Sequence, residues 1–154
     1  MPSRSPTDDQ AIEALRVRRA ELRESMSALE QALAAPAPGR LEAWTERVHV
    51  ALVELFSDFR EHVAIAEGPH GVYRGVLGTT PRLSDEVARL TREHAEINDL
   101  IDELMDRVSA APVNDGVDGV RDFGTALLVR LIRSRQGSAD LVYQAYQSDI
   151  GGEA

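Results

Sequence analysis

Two histidines stand where a helix would be expected to carry leucine or isoleucine. His94 falls in the series Leu83, Val87, Leu90, His94, Ile97, Ile101, Leu104, Val108. His62 falls in the series Leu41, Trp44, Val48, Leu52, Leu55, Phe59, His62, Ala66. Steps of three and four residues trace one face of an α-helix, and an apolar face turns to a core. Burying an unbonded polar group costs about 1–3 kcal/mol, so each imidazole there needs a hydrogen-bond partner, a metal ion or water. Two chemistries use such residues. Neutral imidazoles with carboxylate oxygens, facing inward from several helices, suit non-haem iron or manganese. The same histidines bonded to a carboxylate, carbonyl or hydroxyl make a metal-free polar core layer.

The elements that must position them are helices throughout. Thr7-Asp8-Asp9-Gln10 reads as a capping box opening a first helix, whose stripe is Ile12, Leu15, Leu22, Met26, Leu29 and Leu33, interrupted at Arg19. Pro36-Ala37-Pro38-Gly39 stops it. The second helix starts near Leu41 and stops at Gly68-Pro69; residues 68–81 read as a Gly-containing loop with at most a short turn around Val72-Tyr73. Thr80-Pro81 announces a third helix, with Pro in its first turn. After a turn at Pro112-Val113-Asn114-Asp115-Gly116, a fourth carries Val120, Phe123, Leu127, Leu131, Ser134, Leu141 and Ala145 and runs to Asp149-Ile150-Gly151-Gly152. Gly137 inside it marks a kink or a close packing point. The expectation is an all-α, up-down-up-down four-helix bundle over residues 7–152, preceded by a disordered segment 1–6.

Folding these helices back on one another puts His94 opposite about residue 131, with Ser134 one turn away. With His62 at the same level, Glu67 and Asp140 should fall near each other beyond the layer. The candidate metal ligands are therefore His62, Glu67, His94 and Asp140, with Ser134 and Gln144 nearby. His49, thirteen residues before His62 and so about 220° around the helix, should face elsewhere. His70 reads as a solvated loop residue. Arg19 either pairs with a core carboxylate or runs its stem along apolar surface to reach water. Trp44, Phe56 and Phe59 read as core, and Tyr143 and Tyr146 as packing residues whose hydroxyls can reach the same interior.

Composition narrows the field. The chain has 154 residues, one domain by length, with 17 basic and 26 acidic residues, a net charge of −9 and no Cys. Without Cys there is no disulfide, no thiolate metal site and no Cys nucleophile. The acidic balance argues against nucleic acid as a partner. Every basic residue is Arg, and there are four His. With no apolar run of signal-peptide or membrane length, a cytoplasmic location is expected. There is no nucleophile–base pair that the spacing supports and no phosphate-binding Gly loop, so catalysis is not expected.

Several stretches resemble an actinobacterial branch of the hemerythrin-like (HHE cation-binding) family: His62 to Gly71, Pro81-Arg82-Leu83, Glu93-His94, Ala139 to Tyr146, and Asp149-Ile150-Gly151-Gly152. The resemblance spans roughly residues 8–152. It implies a four-helix bundle and, in fuller members, a non-haem di-iron centre binding O2, NO or peroxide. His62 and His94 match ligand histidines of the second and third helices. Glu67 corresponds to the carboxylate after the second-helix histidine, at a spacing of five, and Ala66 stands four residues on. Ser134 replaces a fourth-helix histidine, Gln144 a Glu, Asn98 a second third-helix histidine, and the first helix has no His. The resemblance thus implies a reduced Fe or Mn site, binding or sensing metal, O2 or NO. The alternative is a metal-free interaction or regulatory protein with a polar core layer. Either reading admits a homodimer.

Overall fold

The computed structural model describes residues 6–110 and 114–147. Residues 1–5 of the expected disordered segment, Pro112-Val113 and the terminal Asp149-Ile150-Gly151-Gly152 lie outside them. The described residues form helices α1 (Pro6–Ala34), α2 (Leu41–Glu67), α3 (Val72–Thr79), α4 (Ser84–Ser109) and α5 (Asn114–Val142), with no strand among them. The four long helices have 29, 27, 26 and 29 residues, about 40 Å each.

α1 packs on α2 and α5, and α4 packs on the same two, so the long helices form a four-membered ring. Their directions follow from the pairings. Arg130 of α5 reaches Glu96 of α4, while Gly137 faces Leu90. Leu33 of α1 faces Gly124 of α5, while Arg18 reaches Glu61 of α2. Ring neighbours run antiparallel, which is the up-down-up-down bundle.

Several local details depart from the sequence expectation. α1 already includes Pro6, so Thr7 lies inside its first turn and is not the N-cap. Pro fits there because the first-turn N–H groups have no intrahelical acceptor. The expected loop at 68–81 contains helix α3, which buries Val72, Tyr73 and Val76. It turns back tightly: a Cβ on Gly71 would lie 2.5 Å from the Ile65 carbonyl oxygen and 2.8 Å from that of Ala66. Pro81 opens a 3-10 turn, Pro81–Leu83, and the α-helix proper starts at Ser84. α5 begins at Asn114, so Asn114-Asp115-Gly116 belong to the helix and not to the turn before it. Gly137 is a packing point: a Cβ there would meet Leu90 Cδ2 at 3.0 Å. After Val142 the helix widens into a π turn, Tyr143–Gln147, that buries Ala145 and Tyr146.

The turn after α1 uses Gly39 at φ +72°, a conformation that costs L-residues with a side chain. The last turn of α1 has no basic residue of its own. Arg121 of α5 supplies one, donating from Nε to the Leu33 carbonyl at 2.8 Å and from Nη2 to that of Ala35 at 2.9 Å. A cation at a helix C-terminus is favoured by the exposed carbonyls.

The core has two parts. A long leucine-rich cluster reaches up to Leu22, Phe59, Ile97 and Leu131 on the four helices. A smaller cluster around α3 starts at Leu15, Ala66, Leu90 and Leu141. Between these boundaries each long helix contributes polar residues: Arg19 from α1, His62 from α2, His94 from α4, and Ser134, Arg135 and Ser138 from α5.

Candidate functional site

The layer between the two clusters is the candidate site. His62 and His94 are both buried, with relative exposures of 1% and 2%. Their ring centroids are 5.6 Å apart and the rings meet nearly at right angles. Phe59, one turn before His62, sets its edge against the His94 ring at 5.8 Å. Tyr73 of α3 stacks on the other side of His94, centroids 6.0 Å apart and planes 13° from parallel. The Tyr73 hydroxyl lies 3.2 Å from Ser138 Oγ and donates to it. α3 therefore closes the layer, and its Tyr73 ring lies nearly parallel to that of His94.

Glu67, in the last turn of α2, reaches back to the layer, with Oε2 2.5 Å from His94 Nδ1. A carboxylate in that position bonds the ring at Nδ1 and turns Nε2 into the layer. That Nε2 is buried and has no hydrogen-bond partner; neither has Nδ1 of His62. His62 is held neutral: its pKa is lowered to about 3, first by burial, then by His94, Arg19 and Arg135. Burial pushes the Tyr73 phenol up to about 12.

The four expected ligands are thus only partly assembled. His62, His94 and Glu67 come together. Asp140 does not join them: it is exposed and accepts a bond from Gln136 at 3.1 Å. It lies one helical turn beyond Gln136 on the outer face of α5, so its expected meeting with Glu67 does not occur. Ser134 is buried in the layer, whereas Gln144 and Tyr143 are exposed. His70 is exposed, His49 half-buried. Arg19 takes neither expected role in full. It is half-buried, its Nε has no partner, and the acidic group acting on it is Asp140.

Tyr73 and Ser138 are layer members that the sequence reading missed. The apolar spacing of Val72, Tyr73 and Val76 was a signal for α3, obscured by Gly71, Gly75 and Gly78. Ser138 extends the Leu131–Ser134 stripe by one more turn. An acidic trio, Glu21, Asp58 and Glu61, is the group of three His or carboxylate residues among the described residues whose ligand atoms lie within 4.8 Å of one another. Arg18 already pairs with Glu21 and Glu61, and Ser25 bonds Asp58.

A groove of about 510 Å³ opens between α2 and α4, lined by Phe59, Glu67, His94 and Asn98 among others. It gives the Glu67–His94 pair a path to the surface. Fold and layer together define the class: an all-α four-helix bundle with a buried imidazole pair. Comparisons with protein-family models, with curated proteins and with solved structures yield no match.

Proposed function

We propose that this chain is a hemerythrin-like protein holding a single Fe or Mn ion between His62 and His94. The observation that carries the reading is the pair of buried, unpartnered ring nitrogens, His62 Nδ1 and His94 Nε2, on rings 5.6 Å apart. Metal binding requires neutral imidazole, and His62 stays neutral well below pH 6. Glu67 on the far nitrogen of His94 is the carboxylate–histidine arrangement that orients a ligand ring. The donor set suits one ion and is too small for two, since Ala66 and Asn98 stand where further ligands would be. When bound, such an ion supplies open coordination positions for O2 or NO. The chain's own contribution is to exclude bulk water, fix both rings and hold the His94 proton on Nδ1. We place this role in the cytoplasm; no described helix is long and apolar enough to cross a membrane.

Untagged protein stripped with chelator and dialysed against Fe(II) or Mn(II) under argon tests the reading. One ion per chain is expected, lost in His62→Ala and His94→Ala and retained in Asp140→Asn. Glu67→Gln should weaken binding by about 10–100-fold. Substoichiometric metal that His94→Ala leaves unchanged would overturn it.

One observation favours a second reading, a metal-free polar layer. Arg19 and Arg135 both act on His62 with positive charge, which opposes a cation there. In that case the double variant His62→Leu, His94→Leu keeps or raises the melting temperature of chelated protein and no metal shifts the native value.

A further inference from the structure

The seam between α1 and α5, on the opposite side of the layer from the Glu67 groove, carries an excess of arginines. A cleft of about 480 Å³ there is lined by Arg16, Arg19, Arg23 and Arg135, with Glu24 and Ser27 at its margin. Arg16 has Glu13 at 3.4 Å, an exposed pair. Arg19, Arg23 and Arg135 have no hydrogen bond or ion pair among the described residues. The Nε atoms of Arg19 and Arg135 are fully buried and unpartnered. The arginines also oppose one another: Arg16 acts against the charge on Arg19, and Arg19 and Arg23 against that on Arg135.

This is an unusual arrangement in a chain of net charge −9. Carboxylates are abundant, and yet the structure gathers four guanidinium groups and leaves the two inner ones without a counter-charge in contact. Guanidinium nitrogens are rigid, always charged donors whose spacing matches phosphate or carboxylate oxygens. A cluster that repels itself is stabilised by an anion that bridges it. Glu13, Glu24 and Asp140 offset three of the four positive charges, leaving an excess of one that suits a small anion. The volume lies in the range of small-molecule sites.

We propose that the α1–α5 cleft is a binding site for a small phosphate anion, free or as a phosphate monoester, held by Arg19 and Arg135 from within and Arg16 and Arg23 from the rim. The proposal does not depend on metal at the histidines.

Inorganic phosphate is the first probe, titrated by calorimetry and by thermal shift against chloride at equal ionic strength on metal-free protein. Phosphate should bind saturably and raise the melting temperature beyond the chloride control. Arg135→Gln and Arg23→Gln should each weaken binding at least tenfold. Arg74→Gln, which removes one exposed arginine from α3, should leave it within twofold. Without phosphate, Arg135→Gln should melt no lower than the native protein, because it relieves repulsion. A structural arginine behaves in the opposite way: the variant melts lower and still responds to phosphate. That result, or a native response no larger than chloride's, or equal losses in Arg74→Gln and Arg135→Gln, would overturn the proposal. Phosphate on a lipid is the competing source. Co-sedimentation with phosphatidic acid vesicles, lost in Arg135→Gln, would overturn the small-molecule assignment; no sedimentation is expected.

Discussion

The two ends of the bundle solve the same packing problem differently. From Phe59 and Ile97 down to Trp44 and Val108 the interior is a run of leucine, isoleucine and valine, with Leu29, Val48, Leu52, Leu55 and Leu104 fully enclosed. Where Arg121 reaches this end, it is satisfied by two carbonyls. Toward α3 the core is smaller, and the layer beneath it is polar. Six buried side-chain atoms among the described residues lack a hydrogen-bond partner, and all except Trp44 Nε1 belong to residues of that layer or to Glu93 beside it. Burying unbonded polar groups is costly, so a fold that concentrates them in one layer is sacrificing stability locally. The long apolar end offsets that cost. The contrast assigns close packing to one end and the unsatisfied polar groups to the other.

The largest effect expected from this division is at the apolar end. Leu52 is fully buried in the middle of the long cluster. Leu52→Ala should cost about 2–5 kcal/mol in urea denaturation at pH 7, the lost transfer energy plus the cavity term. It should leave metal or phosphate binding by the folded protein intact. A cost under 1 kcal/mol would mean that this end is not the close-packed one.

The next effect is a dependence on pH that His62 confers. Its imidazole takes a proton near pH 6.5 in the unfolded chain but only near 3 in the folded one. Between those values the unfolded chain binds more protons, so stability falls as pH is lowered, by up to about 1.4 kcal/mol per unit. Above pH 6.5 the ring is neutral in both states and contributes nothing to the slope. His62→Leu should match or exceed native stability at pH 7 in metal-free protein, and should lose one proton's share of the slope between pH 6 and 4. Equal slopes in the two proteins would show that the layer is open to water, against its burial.

How much of this could be read from the sequence follows the same division. The apolar end was legible almost residue by residue, because a helix meeting a flat hydrophobic neighbour leaves a three-four pattern. All eight positions of the Leu83–Val108 stripe are buried. The two imidazoles were legible as exceptions to that pattern. What surrounds them was not. Asp140 seemed a partner for Glu67 by counting residues, but its side chain leaves the helix on the outer face, where Gln136 takes it. Glu67 was placed beyond the layer, yet its side chain reaches back across that distance to His94. Residues 68–81 read as a loop with at most a short turn, because Gly68, Gly71 and Gly78 argue against a helix. Tertiary packing of Val72, Tyr73 and Val76 outweighs that local cost. Arg19 reads in the sequence as a break in a stripe that either pairs with a core carboxylate or reaches water; that it shares a cleft with Arg135 depends on which helices are neighbours.

The smallest effect separates the two things Tyr73 does in the layer. Its ring stacks on His94, and its hydroxyl donates to Ser138. Tyr73→Phe keeps the ring and removes the donor. The Ser138 hydroxyl is fully buried, and a lost hydrogen bond of this kind is worth about 0.5–1.5 kcal/mol. Burial also holds the phenol neutral until about pH 12, so this contribution should persist across the physiological range and fade only between pH 10 and 12, where the unfolded chain ionises first. If the stacked ring is what sets the plane of His94, Tyr73→Phe should bind metal with native affinity, whereas Tyr73→Leu, which leaves the face of His94 without its aromatic neighbour, should bind it more weakly. Equal affinity in all three proteins would assign the orientation of His94 to Glu67 alone, and would reduce α3 from a part of the site to its cover.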